Sequence, residues 1–327
     1  MKRKLLPKRI TLIVTLAAAA LLPIFIKGYY FLYVLNIIII YSILGISQNI
    51  VTGYGGQLAI GQAGFFAVGA YASALLSGKL GSPWWLEIAG VTVLSGIVGF
   101  ILGAISLRMR GPALAIATIG FARATQLVLI NAEELTGGAV GFVGIPEIHV
   151  GGLKVESPGS YYYIHLLSLV IVLVLVNNLI NSRVGRGVIA IREDELAANV
   201  TGVNPTRYKI ICFMLSSIFA GFAGYLYAHF AKALFPDFFS VALSVLILFI
   251  PIIGGMGTIF GPILGAAILV LSFELSGGFQ EYQMFLYGFA LVLFTMFLPS
   301  GLIGLGRGIL NKYSLPERFR SGFADFD

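Results

Sequence analysis

Residues 189–209 read IAIREDELAANVTGVNPTRYK, a dense charged segment set between an apolar run at 161–181 and another at 208–231. At a helical rise of about 1.5 Å per residue, runs of roughly 20 residues match a hydrocarbon layer of about 30 Å. The interruption is too polar to cross a bilayer and too helical in pattern to be a mere spacer. Lipid-length runs broken by short charged clusters point to a polytopic helical membrane protein. Composition agrees: 58% of the 327 residues are hydrophobic and 11% are charged, with a mean hydropathy of +0.95. A soluble core of this size would need many more charges on its surface.

Apolar runs of suitable length fall at 10–26, 29–50, 56–78, 84–107, 112–131, 161–181, 208–231, 238–256, 260–276 and 281–299. The expected fold is therefore all-α, with about ten transmembrane helices. With a cytoplasmic N-terminus, the inside segments hold Lys2, Arg3, Lys4, Lys8 and Arg9, then Arg108 and Arg110, then Arg183, Arg186, Arg192, Arg207 and Lys209, and finally Arg307, Lys312, Arg318 and Arg320. The outside segments hold Lys27, Lys79, Lys154 and Lys232. This bias and the even number of runs both place the two termini in the cytoplasm. The net charge of +7 is then a by-product of topology, and nucleic acid need not be invoked. The basic, apolar start could be a cleaved signal peptide. An uncleaved first span is preferred, because the next apolar run begins at once, at Tyr29.

The expected organisation is one transmembrane domain over 1–300 and a polar, basic cytoplasmic tail over 301–327. An external loop spans 132–160, and a cytoplasmic loop, which contains the opening stretch, spans 182–207. Small residues recur every fourth position at Ala220, Gly224 and Ala228 and at Gly257, Gly261 and Gly265, the spacing of close helix packing in membranes. GYGGQ (53–57) differs, since a helix is hard to continue through Gly53, Gly55 and Gly56. A broken or re-entrant segment there would expose backbone groups, tolerable where they line an enclosed cavity. With Gln57 and Gln62 as polar neighbours, a translocation path and simple packing both fit.

Arg123 sits mid-span in GPALAIATIGFARATQLVLI (111–130), where an unpaired guanidinium costs several kcal/mol. It either meets an anionic or zwitterionic substrate or pairs with Glu274 or backbone carbonyls. Glu274 and Glu87 read as interfacial, the latter beside the anchoring pair Trp84 and Trp85. Cys212 reads as a small core residue. The spacing of His149, His165 and His229 resembles no metal site, and no catalytic constellation is visible. Within the charged segment, Glu193, Asp194, Glu195, Leu196, Ala197 and Ala198 are expected to form a short amphipathic helix ended by a left-handed Gly202. Asn204 then caps a new helix that starts at Pro205.

Four blocks carry a family resemblance: GYGGQLAIGQAGFFAVGAYASALL (53–76), ALAIATIGFARATQLVL (113–129) with ELTGGAVGFVGIPEI (134–148), SRVGRGVIAIREDELAANVTGVNPTRYKI (182–210) and GGMGTIFGPILGAAIL (254–269). Their order and spacing resemble the LivM type of permease subunit in branched-chain amino-acid ATP-binding-cassette importers. The resemblance implies a multi-pass subunit in the cell (inner or plasma) membrane, paired with a LivH-like partner permease, two cytoplasmic ATPase subunits and an extracytoplasmic substrate-binding protein. It implies no cofactor in this chain, with ATP and Mg on the ATPases. It also implies that Arg192, Glu193, Asp194, Glu195, Ala197, Ala198 and Gly202 form the loop coupled to the ATPase, and leaves Tyr54, Gln57, Gln62, Thr118 and Arg123 as candidate path residues. Two positions depart from the family pattern: Gln62 stands where histidine or its common variant glutamine is expected, and Arg123 where an acidic residue is expected. The second departure leaves other amino acids, urea and amides open as substrates. An ion-coupled secondary transporter is the rival reading, and it would want a cation-binding cluster near the midplane.

Overall fold

Helix α1 (Tyr29–Asn49) is buried without interruption from Ile39 to Asn49, so it runs through the interior rather than along a face. Its polar side chains find partners there: Asn36 Nδ2 donates to Leu32 O (2.8 Å) and Pro158 O (3.0 Å), and Ser42 Oγ donates to Ile38 O (2.7 Å). This computed structural model describes residues 28–106, 109, 111–150, 153–155 and 157–275, with Pro23, Gly288 and residues 301–304. Apart from those isolated residues, the expected spans 10–26 and 281–299 and the expected tail lie outside the described residues.

A π-helical turn, Ile50–Tyr54, prolongs α1 through Gly53, and the chain then breaks at Gly56, whose φ is 63°. The expected span from residue 56 accordingly begins later, as α2 (Gln62–Gly78), after a non-helical crossing. Next come α3 (Trp84–Ser106), α4 (Pro112–Asn131) and the short α5 (Glu133–Thr136). Strands β1 (Phe142–Val143), β2 (His149–Val150) and β3 (Leu153–Lys154) follow. Helix α6 (Pro158–Asn181) starts at a Ser157 cap, whose side chain accepts from Ser160 N. Then come α7 (Arg183–Glu193), α8 (Glu195–Val200), α9 (Pro205–Ala231), β4 (Ala233–Leu234), a 3-10 turn at Pro236–Phe239, α10 (Val241–Gly254) and α11 (Gly261–Leu275).

Helix α9 packs on α3 and α2, and α1 packs on α11, α9 and α6. Absent side chains permit the closest crossings. A Cβ added to Gly69 would lie 2.1 Å from Gly221 O, and one on Gly224 would lie 2.3 Å from Phe66 O. The same holds between α10 and α11, where a Cβ on Gly265 would lie 1.9 Å from Ile250 O. These contacts realise the four-residue spacing of small residues.

The long connection before α6 is stitched to the end of α9. Strand β1 pairs antiparallel with β4, Gly144 N donates to Lys232 O (3.1 Å), and Lys232 forms an ion pair with Glu147. Helices α7 and α8 join the opposite ends of α6 and α9.

The exterior explains the solvent. Val93, Leu94, Ile97, Phe100 and Ile101 on α3 are exposed, as are Ile116, Leu127 and Val128 on α4 and Leu167, Ile171, Val174 and Leu175 on α6. Apolar surface this extensive does not face water on a soluble monomer. Five helical stretches, 29–54, 84–106, 112–131, 158–181 and 205–231, are long and apolar enough to cross a bilayer. The chain is a multi-pass helical membrane protein.

Candidate functional site

The segment after α6 is built by successive caps. Ser182 Oγ accepts from Val184 N (3.1 Å) and Gly185 N (3.3 Å) to start α7. Gly185, Gly187, Val188 and Ile191 form its buried side. Asp194 is extended and ends α7; its Oδ1 accepts from Leu196 N (2.8 Å) and Ala197 N (3.0 Å) and so starts α8. Gly202, at φ 86°, reverses the chain. Asn204 Oδ1 then accepts from Arg207 N (3.4 Å), with Pro205 in the first turn of α9. The expected turn and second helix stand, whereas the first helix is two: α7 reaches Glu193, and α8 begins at Glu195, not at Glu193. Lys209 in the second turn of α9 holds Glu195 at 2.7 Å. Ala198 faces inward, while Leu196 and Val200 are 75% and 89% exposed. Spaced by four residues, these two lie on one face of α8.

The helix break lies against α7. Arg192 Nη1 donates to Gly53 O at 2.6 Å. The crossing 55–61 is held from several sides: Gln48 Nε2 donates to Ala59 O (2.8 Å), Ile60 N donates to Thr118 Oγ1 (2.8 Å), and Gln62 Nε2 donates to Ser47 Oγ and to Ser216 Oγ (3.0 Å). Asn49 reaches the turn between α10 and α11, accepting from Gly257 N (2.9 Å) and donating to Thr258 O (2.8 Å). Tyr54 is buried against an apolar hollow shared with Val188 and Cys212.

Arg123 lies apart from the break, on the exposed side of α4. Its Nη1 donates to Gln126 Oε1 (2.6 Å), and Gln126 Nε2 donates to the exposed Asp237 (3.3 Å). Asp237 also borders a cavity of about 450 Å³ walled by Tyr33, Tyr41, Tyr227, Phe238 and Glu274. Glu274 accepts from Tyr30 rather than meeting Arg123.

Residues 30–295 match the model of a family described as the permease component of branched-chain amino acid transport systems. The chain belongs to this permease family. It is 37% identical to the high-affinity branched-chain amino acid transport permease LivM of Salmonella typhimurium, over 82% of this chain and 68% of that protein. Identity to LivM of Escherichia coli is 38%, over the same shares. The LivH permease of Salmonella typhimurium is 24% identical, over 81% of this chain and 91% of its own length. No solved structure matches.

In this permease, therefore, Gln62 and Thr118 converge on the break with the buried Gln57, whose N donates to Val51 O (3.0 Å), whereas Arg123 belongs to a separate polar strip. Two features escaped sequence reasoning. Leu196 and Val200 were hidden because their outward direction depends on where α8 begins. Glu87, read as interfacial, is in fact buried: its Oε2 lies 2.7 Å from His229 Nε2 and accepts from Ser73 Oγ (3.3 Å). Its Trp84–Trp85 neighbours suggested an interface, and its partner lies 142 residues away. His229 Nδ1 donates to Pro146 O (2.8 Å), so the contact at Nε2 needs one further proton shared with Glu87. Ser73 and Glu87 both meet Nε2, which ties three helices together but does not order a nucleophile as a catalytic triad does.

Proposed function

We propose that the chain is a permease subunit of an ATP-driven importer that moves a branched-chain or related amino acid into the cell. It would pair with a LivH-like permease, two cytoplasmic ATPases that hold ATP and Mg, and an extracytoplasmic binding protein, with no cofactor of its own. The observation that carries this reading is α7–α8, a capped helical projection in a transport-permease chain. Its outer face carries Leu196 and Val200, an apolar pair suited to a protein cleft. Glu193 and Asp194 border that face, and Gly202 sets its return.

The proposed topology is ten spans over 1–300, both termini in the cytoplasm with the 301–327 tail, 182–207 inside, 132–160 outside, and the inner or plasma membrane as location. Among the candidate path residues, Arg123 is favoured for the path face, because a charged strip on an apolar exterior does not face lipid. Tyr54, Gln57, Gln62 and Thr118 would govern the path through the break. The test is uptake into proteoliposomes holding the co-expressed complex, with leucine, valine, urea and amides compared. ATP-dependent leucine or valine uptake is expected; uptake driven by an ion gradient without an ATPase would refute the reading.

A further inference from the structure

Arg192 stands in the last turn of α7, on the segment that the proposed function gives to ATPase docking, yet its guanidinium turns back into the permease. Gly53 O, which it reaches at 2.6 Å, lies among the last carbonyls before the helix breaks, where intrahelical donors run out. The same side chain covers two further glycines. A Cβ on Gly56 would lie 2.8 Å from Arg192 Cγ, and one on Gly257 would lie 3.0 Å from Arg192 Nη1. Gly56 ends the α1 extension, and Gly257 sits in the turn between α10 and α11. Asn49 joins these two places by its paired bonds to Gly257 N and Thr258 O.

We propose that Arg192 is a positioning residue that transmits displacement of α7 into both helix breaks, and is not itself a contact to the ATPase. The inference rests on the ATP-driven reading and deepens it. The missing side chains at Gly56 and Gly257 make room for Arg192, and that at Gly53 makes room for Asn49. Although Arg192 is exposed, its stem lies on Gly56 and its guanidinium on Gly257 and Gly53 O, so displacement of α7 pulls on both places through this one side chain. Asn49 makes the α1 break and the α10–α11 turn respond together, as a two-state element requires.

The experiment compares the intact complex carrying wild-type chain, Arg192→Gln, Arg192→Lys and Asn49→Ala, reading ATPase subunits retained, basal ATP hydrolysis, and leucine transported per ATP. Arg192→Gln is expected to keep the ATPases and basal hydrolysis while transport per ATP falls about tenfold. Asn49→Ala, which leaves α7 untouched, is expected to show the same split, and Arg192→Lys to recover part of the loss because an ammonium still donates to Gly53 O. Loss of the ATPases from Arg192→Gln makes the residue a docking contact and overturns the inference, as does wild-type transport per ATP. Failure of both Arg192 variants to fold makes the tie purely structural and also overturns it. A wild-type complex lacking any ATPase overturns the proposed function and this inference with it.

Discussion

Replacing Gly69 by alanine tests the α2–α9 crossing. The new Cβ would fall 2.1 Å from Gly221 O, 2.3 Å from Gly221 Cα and 2.5 Å from Gly221 C. An ordinary carbon–oxygen contact is about 3.3 Å, so the helices must separate by roughly 1 Å. The obstructing atoms are backbone in the middle of α9 and cannot rotate aside. Separation by that distance forfeits about a quarter to a half of the dispersion well for each facing atom pair. Overpacking of this kind costs typically about 1–3 kcal/mol, and a backbone-on-backbone clash belongs at the upper end. Gly120 on α4 is the matched control, because a Cβ there meets nothing within 4 Å. Gly120→Ala should be neutral or stabilising by up to about 1 kcal/mol, since glycine is a poor helix former. The assay is the thermal midpoint of the detergent-solubilised chain, followed by the monodisperse fraction remaining after heating. Gly69→Ala should melt well below wild type and Gly120→Ala at or above it. Equal midpoints for the two variants would refute the close-crossing argument.

Removing one partner of the Glu87–His229 pair leaves the other buried without compensation, so Glu87→Ala and His229→Ala should each destabilise by about 3–5 kcal/mol. The double variant should cost less than their sum, read from the same melting assay. Leu196→Ser with Val200→Ser should reduce retention of the ATPase subunits without lowering the melting midpoint, since both side chains already face solvent; unchanged retention on co-purification would remove α8 from the docking surface. Arg123→Ala should change stability by no more than about 0.5 kcal/mol, as expected for an exposed residue, while uptake falls. Unaltered uptake kinetics would take Arg123 out of the path.

Run length carried most of the fold. Each of the eight expected spans within the described residues contains a helix, but only five helical stretches are long and apolar enough to cross a bilayer, since α2, α10 and α11 have 17, 14 and 15 residues. Local chemistry carried the ends: Asn204 with Pro205, and the reversal at Gly202, act within a few residues of themselves. What stayed hidden depends on distance or on a small change of geometry. The helix widens into a π turn to pass Gly53, and no composition rule distinguishes that from an immediate break. Gly185 and Gly187 disguised α7 as loop, although their missing side chains let it lie against Ile180 and Tyr208. Arg192 carries no mark in sequence of a partner 139 residues away, and Asn49 none of one 209 residues away.

The enclosure of α1 has a consequence for biogenesis. It precedes many of its partners in the chain, and it carries Asn36, Ser42, Ser47, Gln48 and Asn49 toward the interior. Partners for the side chains of Asn36 and Asn49 come much later in the chain, at Pro158, His165 and Thr258. Before those segments are made, α1 carries polar groups whose partners are absent, although it is apolar enough to enter the bilayer. Insertion of α1 and its final packing therefore draw on different segments of the chain, the packing needing residues as far on as Thr258.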